Sequence, residues 1–194
     1  MEKRTNVRKL TLLAVLTAIV VLFQFMGSFI KIGTTSISLV LIPIVLGGIL
    51  TGISGGAFLG FVFGAITLWS GISGTDAFTN ILFSQAPVAT TIICLGKAIL
   101  AGAGAGLVYK LFKGKNTLLA SVLASMTAPI INTGLFILGG LFLVNETLAT
   151  MTGGVSLTYF LVVMCAGINF IAEFAVNTIV SPAINTLVKA VSKK

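Results

Sequence analysis

The chain is 194 residues long, 57% of them hydrophobic and only 8% charged, with a mean hydropathy of +1.15. No water-soluble core of this size needs that composition, so a soluble domain is excluded and an integral membrane protein is indicated. Twelve basic residues against four acidic ones give a net charge of +8, but they gather at the ends of apolar runs, as the positive-inside rule places them, which excludes a nucleic-acid surface. There is no histidine, and Cys94 and Cys165 each sit in an apolar run as small hydrophobes. Imidazole chemistry, a disulfide framework, a metal site and a bound cofactor are therefore not expected.

Lys3, Arg4, Arg8 and Lys9 precede the apolar run Leu10 to Gly27. The run is long and lacks a small-residue cleavage site, so it is read as a retained first span rather than a signal peptide. Ala14 and Ala18 form an A-x-x-x-A pair on it, a packing signature for a neighbour inside or outside the chain. The second run, 37–50, is short and contains Pro43, which suggests a kinked or partly re-entrant helix. After a tight turn at 51–54 comes a third span, 55–70, with Gly52, Gly56, Gly60 and Gly64 at spacings of four, a flat ridge for close backbone approach.

Trp69 ends that span, as an interface anchor or as a pocket wall. The polar segment from Gly71 to Gln85, with Asp76 and Asn80, reads as a loop long enough to cover a site. A fourth span, 87–111, carries Lys97 in its interior and Gly102, Gly104 and Gly106 lower down; it ends in Lys110, Lys113 and Lys115. The fifth, 118–144, carries Asn132. A loop with Asn145, Glu146, Gly153 and Gly154 leads to the sixth, 157–188, followed by Lys189, Lys193 and Lys194. That last run exceeds the ~20 residues of one crossing and is expected to extend into the cytoplasm. Six spans put both termini on one side, and the basic clusters make that side cytoplasmic, with Lys31 the exception in an outer loop.

Within the last span, Asn169, Glu173 and Asn177 recur at spacings of four and so share one helix face. An ionisable group in a span costs at least ~2.5 kcal/mol unless it meets a partner, a ligand or water, so this face must point inward. At 1.5 Å per residue, Lys97 lies about 14 Å below the outer end of its helix, Asn132 and Asn169 about 18 Å, and Glu173 about 24 Å. Lys97, Asn132 and Asn169 therefore share a level, and a pocket open to the outside is the preferred reading. Lys97 would pair with an anionic group there, and the asparagines would donate and accept. A polar contact that merely fixes helix register is the alternative.

The basic N-terminus leading into Ala14-Val-Leu-Thr-Ala18, the run from Ile37 through Pro43-Ile-Val-Leu-Gly-Gly48 to Gly64, and Gly102-Ala-Gly-Ala-Gly-Leu-Val-Tyr-Lys110 together resemble the S components of energy-coupling factor (ECF) vitamin transporters, most of all the pantothenate-type members. The resemblance implies a single membrane domain, 1–194, folded as an all-α bundle of six transmembrane helices with both termini cytoplasmic. It implies a substrate-capturing subunit in the cell membrane of a prokaryote. That subunit takes a vitamin from outside and docks, through Ala14 and Ala18, on a transmembrane coupling protein bound to two cytoplasmic ABC ATPases. The chain itself would be no enzyme, and it has no P-loop and no catalytic Ser/His or Cys/His set.

Pantothenate's carboxylate, hydroxyls and amide suit Lys97 with Asn132, Asn169 and Glu173, with Trp69 and Gln85 as further candidate binding residues. Thiamin, a cation, would sit badly beside Lys97, and nickel or cobalt would need nitrogen ligands such as histidine. Folate, biotin, niacin or riboflavin remain alternatives to pantothenate. A small membrane-embedded enzyme or a structural helix-packing protein is the alternative of a different class.

Overall fold

The computed structural model describes the backbone of residues 2–27, 31–32, 35–36 and 39–192, and side chains within 7–27 and 39–191. In chain order the elements are α1 (Glu2–Gly27), a two-stranded antiparallel ribbon β1 (Lys31–Ile32) and β2 (Thr35–Ser36), α2 (Leu41–Thr51), α3 (Ile53–Ile72), α4 (Ala77–Gln85), α5 (Pro87–Phe112), α6 (Thr117–Phe142), α7 (Asn145–Ala149), α8 (Leu157–Tyr159), a π-helical stretch Phe160–Cys165, and α9 (Gly167–Ser192). Among the described residues five helices are long and apolar enough to cross a membrane, within α1, α3, α5, α6 and α9. At 1.5 Å per residue the 11-residue α2 reaches only about 16 Å, half of a hydrocarbon core of roughly 30 Å.

Helix ends follow local chemistry. Asn116 caps α6 by accepting from the backbone N–H groups of Leu118 and Leu119 at 2.9 and 3.2 Å. Pro87 opens α5, where its missing N–H costs nothing. Gly52, at φ 92°, makes the sharp break between α2 and α3 that a side chain would strain. Inside the helices, threonine hydroxyls donate to the carbonyl four residues back, as Thr51 does to Gly47 at 2.6 Å and Thr127 to Leu123 at 2.7 Å. Such bonds hide a polar group that lipid would leave unsatisfied.

The central contact is α3 against α5. A Cβ on Gly56 would land on the Gly102 carbonyl oxygen, one on Gly60 on the Ala98 carbonyl oxygen, and one on Gly64 at 2.6 Å from the Cys94 carbonyl oxygen. The two glycine-bearing helices therefore pack backbone on backbone, which only small residues allow. Gly104 does not join this seam; it faces Ile131 of α6. α1 is peripheral, with Leu16 and Val20 set against Val40, Leu41 and Leu59 and most of its remaining surface exposed. The α6–α9 pair closes the other side through Ala124, Ala128, Ile184 and Val188.

Three expectations are corrected. The second helix starts at Leu41 rather than at residue 37, and residues 37–38 lie outside the described residues. The segment after α3 is not a plain loop: Ala77–Gln85 forms α4, because Leu82 and Phe78 find apolar neighbours on α5 and α6. The last run is not one helix either. A π-helical stretch, Phe160–Cys165, widens the coil before Ala166, and α9 begins only at Gly167.

The α3–α5 seam generates a test. Adding one methyl in Gly60→Ala should overpack it at a cost of roughly 1–3 kcal/mol or more. Gly96→Ala should be neutral, because a Cβ there meets nothing within 4 Å. Thermal unfolding of the purified chain should show a lowered midpoint for the first variant only. Equal midpoints would mean that α3 and α5 are not in backbone contact.

Candidate functional site

Where the glycine seam ends, the bundle opens. Above Gly64 and Cys94 the facing residues become Thr67 and Ser70 on α3 and Thr90 on α5, and a cavity lies between them. Measured to the centres of water-sized molecules its volume is about 150 Å³. α4 lies across it with Phe78, Thr79 and Leu82, and Val144 and Leu148 close the side beneath α7. The α3–α4 turn is held by Asn80 Nδ2 donating to the Gly71 carbonyl at 2.7 Å, and by Thr79 Oγ1 donating to Asp76 Oδ2.

Four of the sequence-derived site residues meet here: Lys97 from α5, Asn132 from α6, and Asn169 and Glu173 from α9 all line the cavity. The Lys97 ammonium sits 5.3 Å from the centroid of the Phe136 ring, a cation–π contact that steadies it without neutralising it. Phe136 is in turn braced by Phe78, with centroids 6.0 Å apart. Asn169 Nδ2 donates to Glu173 Oε1 at 3.3 Å, and Asn177 Nδ2 donates to the Glu173 carbonyl oxygen at 2.8 Å. The ladder on α9 thus orients its own carboxylate, which is only 2% exposed.

Two amide oxygens are left over. Asn132 Oδ1 and Asn169 Oδ1 are buried and have no hydrogen-bond partner among the described residues. A buried acceptor without a donor is costly, so these two oxygens are acceptors that N–H or O–H groups would satisfy. With one ammonium, carboxylates at Glu173 and Asp76, and aromatic walls at Phe63, Phe78 and Phe136, it offers charge, hydrogen bonds and apolar surface to a small polar molecule.

The structure does not bring the other candidates to this cavity. Trp69 is 68% exposed on the outside of α3, and Gln85 is exposed at the end of α4; neither lines it. Asn177 lies one turn below the cavity floor and does not line it. Residues 34–38, which the sequence also offers as a cover for the site, carry no described side chains and so lie outside this comparison. Gly153 and Gly154 are exposed in a turn and do not line it. Sequence reasoning missed Phe136 and Asp76. Phe136 lies one turn from Asn132 on the same helix, but a phenylalanine in an apolar run gives no signal of its own. Asp76 was visible only as part of a loop.

The family model for the ECF transporter substrate-specific component matches residues 8–185 of the chain. No curated protein matches it. The chain belongs to the family of ECF transporter substrate-specific components, whose members bind a small-molecule substrate and work with a transmembrane coupling protein and ATPases.

Cys94 lines the cavity, whereas Cys165 does not. A small neutral thiol reagent should therefore modify Cys94 ahead of Cys165, measured by mass spectrometry of the intact chain and its Cys94→Ser variant. Modification of Cys165 alone would mean that the cavity is closed to solutes of that size.

Proposed function

We propose that this family member captures a water-soluble vitamin, pantothenate in the best reading, in the cavity between α4, α5, α6 and α9. The observation that carries the proposal is the meeting of Lys97, Asn132, Asn169 and Glu173, drawn from three helices, around one cavity. Lys97 would hold the substrate carboxylate, because a charge-assisted bond from a point-charge donor suits that group. The orphan oxygens of Asn132 and Asn169, with Glu173, would accept from the hydroxyl and amide groups that pantothenate also carries. Folate, biotin, niacin and riboflavin are the alternative ligands. The chain would carry out no chemistry itself.

On this reading the protein crosses the membrane of a prokaryotic cell six times, with α2 as the short crossing and both termini cytoplasmic. In support, the Arg8 guanidinium donates to the Val191 carbonyl, so α1 begins where α9 ends. Lys110 in the last turn of α5, and Lys113 and Lys115 just after it, belong to the bundle end away from the cavity, which the N-terminal half of α5 lines. The coupling protein would dock on α1. Ala14 and Ala18 are both exposed there, beside exposed Val15, Leu22 and Phe25.

Binding to the purified chain should be measured across a panel of vitamins, with pantothenate expected to bind. Lys97→Ala should weaken binding by more than the roughly 1 kcal/mol of a neutral hydrogen bond, and Lys97→Arg should fall between. Adding Glu173→Gln to Lys97→Ala should leave a folded, poor binder; recovered pantothenate affinity in that double variant would contradict a lysine that holds the ligand.

Docking separates from binding. Ala14→Trp or Ala18→Trp should reduce co-purification with the coupling protein and ATPases while ligand affinity persists, since bulk there obstructs close helix approach. Lost ligand binding with assembly intact would mean that α1 is not the docking face.

A further inference from the structure

Below the cavity the buried polar face of α9 continues. Asn177, Ser181 and Asn185 follow Glu173 at spacings of four, and they are 1%, 0% and 6% exposed. α6 carries a matching stripe: Ser121 and Ser125, both 0% exposed, stand eleven and seven residues before Asn132, separations that return a helix to nearly the same side. The two helices pack against each other, and Asn132 and Glu173 from their upper halves both line the cavity. Their lower halves meet in the apolar cluster that holds Ala124, Ala128, Ile184 and Val188. A polar seam therefore runs down from the cavity floor between α6 and α9.

Most donors in the seam are already committed. Asn177 Nδ2 donates to the Glu173 carbonyl oxygen at 2.8 Å, the Ser181 hydroxyl to the Thr178 carbonyl at 2.7 Å, and the Ser121 hydroxyl to the Thr117 carbonyl at 2.9 Å. Left over are Ser125 Oγ, Asn177 Oδ1 and Asn185 Oδ1, all buried without a hydrogen-bond partner among the described residues. Exchanging oxygen and nitrogen on Asn177 does not help, because the Glu173 carbonyl needs the N–H that it already receives.

We propose that this seam is a binding site for water: a short file of ordered molecules that donate to Ser125 Oγ, Asn177 Oδ1 and Asn185 Oδ1. The file runs from the cavity floor toward the Lys189 end of α9. Asn177 and Asn185 are eight residues apart, about 12 Å along the helix, a length that about four molecules span at the ~2.8 Å spacing of O–H···O bonds. That length argues against one metal cation, which would need several oxygens around a single point. Water suits leftover acceptors because it brings donors, and polar buried sites hold it where apolar ones stay dry. The file solvates the Glu173 carboxylate from below, so a ligand in the cavity does not have to dehydrate it completely. It also ties α6 to α9 through bridged rather than direct bonds.

Crystals of the full chain grown in a lipidic mesophase, at a resolution that shows ordered solvent, test this when sets are prepared in sodium and in rubidium. Solvent peaks are expected within hydrogen-bond distance of the three oxygens, unchanged by rubidium. Asn185→Leu should lose the peak beside residue 185. Ser125→Ala, a milder change that preserves the fold, should lose only the peak at residue 125. Side chains paired directly to protein groups with no solvent density between them would overturn the proposal, and so would an anomalous rubidium peak in the seam.

Discussion

A carboxylate and an ammonium that belong to membrane-spanning stretches of chain must be kept from lipid, and the arrangement of this bundle follows from that constraint. Glu173 is 2% exposed, and the cost of burying its charge is met locally by Asn169, whose amide donates to it. Lys97 is handled differently, by the face of Phe136. Both groups end up at the wall of one cavity rather than at the protein surface. The helices that carry them, α5 and α9, are separated in sequence by α6, which supplies Asn132 between them.

The cavity exists because close packing stops. Over Gly56, Gly60 and Gly64 the backbones of α3 and α5 touch, and no room remains between them. One turn beyond, side chains with volume and hydroxyl groups replace glycine and line the cavity. A flat glycine seam at one end and a polar hollow at the other are thus consequences of one sequence gradient along two helices. α4 and α7 are short and apolar on their inner sides, and they cover the hollow where longer helices would fill it.

Much of this was legible before the structure. Polar residues inside apolar runs stand out against their background, so Lys97, Asn132, Asn169 and Glu173 were identifiable one by one. The glycine ridge of α3 was visible too, though not that it faces Cys94, Ala98 and Gly102 of α5, because spacing reveals a flat face and not its partner. What was hidden depended on tertiary context. Phe136 matters through a lysine on another helix, and α4 forms because its apolar side is covered. The π-helical stretch interrupts a run, Leu157 to Ala166, that contains no glycine or proline to announce it. Trp69 stayed open between an interface anchor and a pocket wall because an exposed aromatic at a helix end and one at a pocket rim look alike in sequence; the structure leaves it exposed.

On the proposed function, these buried polar groups surround a space that takes one small molecule. Native mass spectrometry of the full chain, released gently from detergent after incubation with a mixture of water-soluble vitamins, reads this directly. One adduct of vitamin mass per chain is expected. A chain that carries only lipid, or nothing, at saturating vitamin would contradict it.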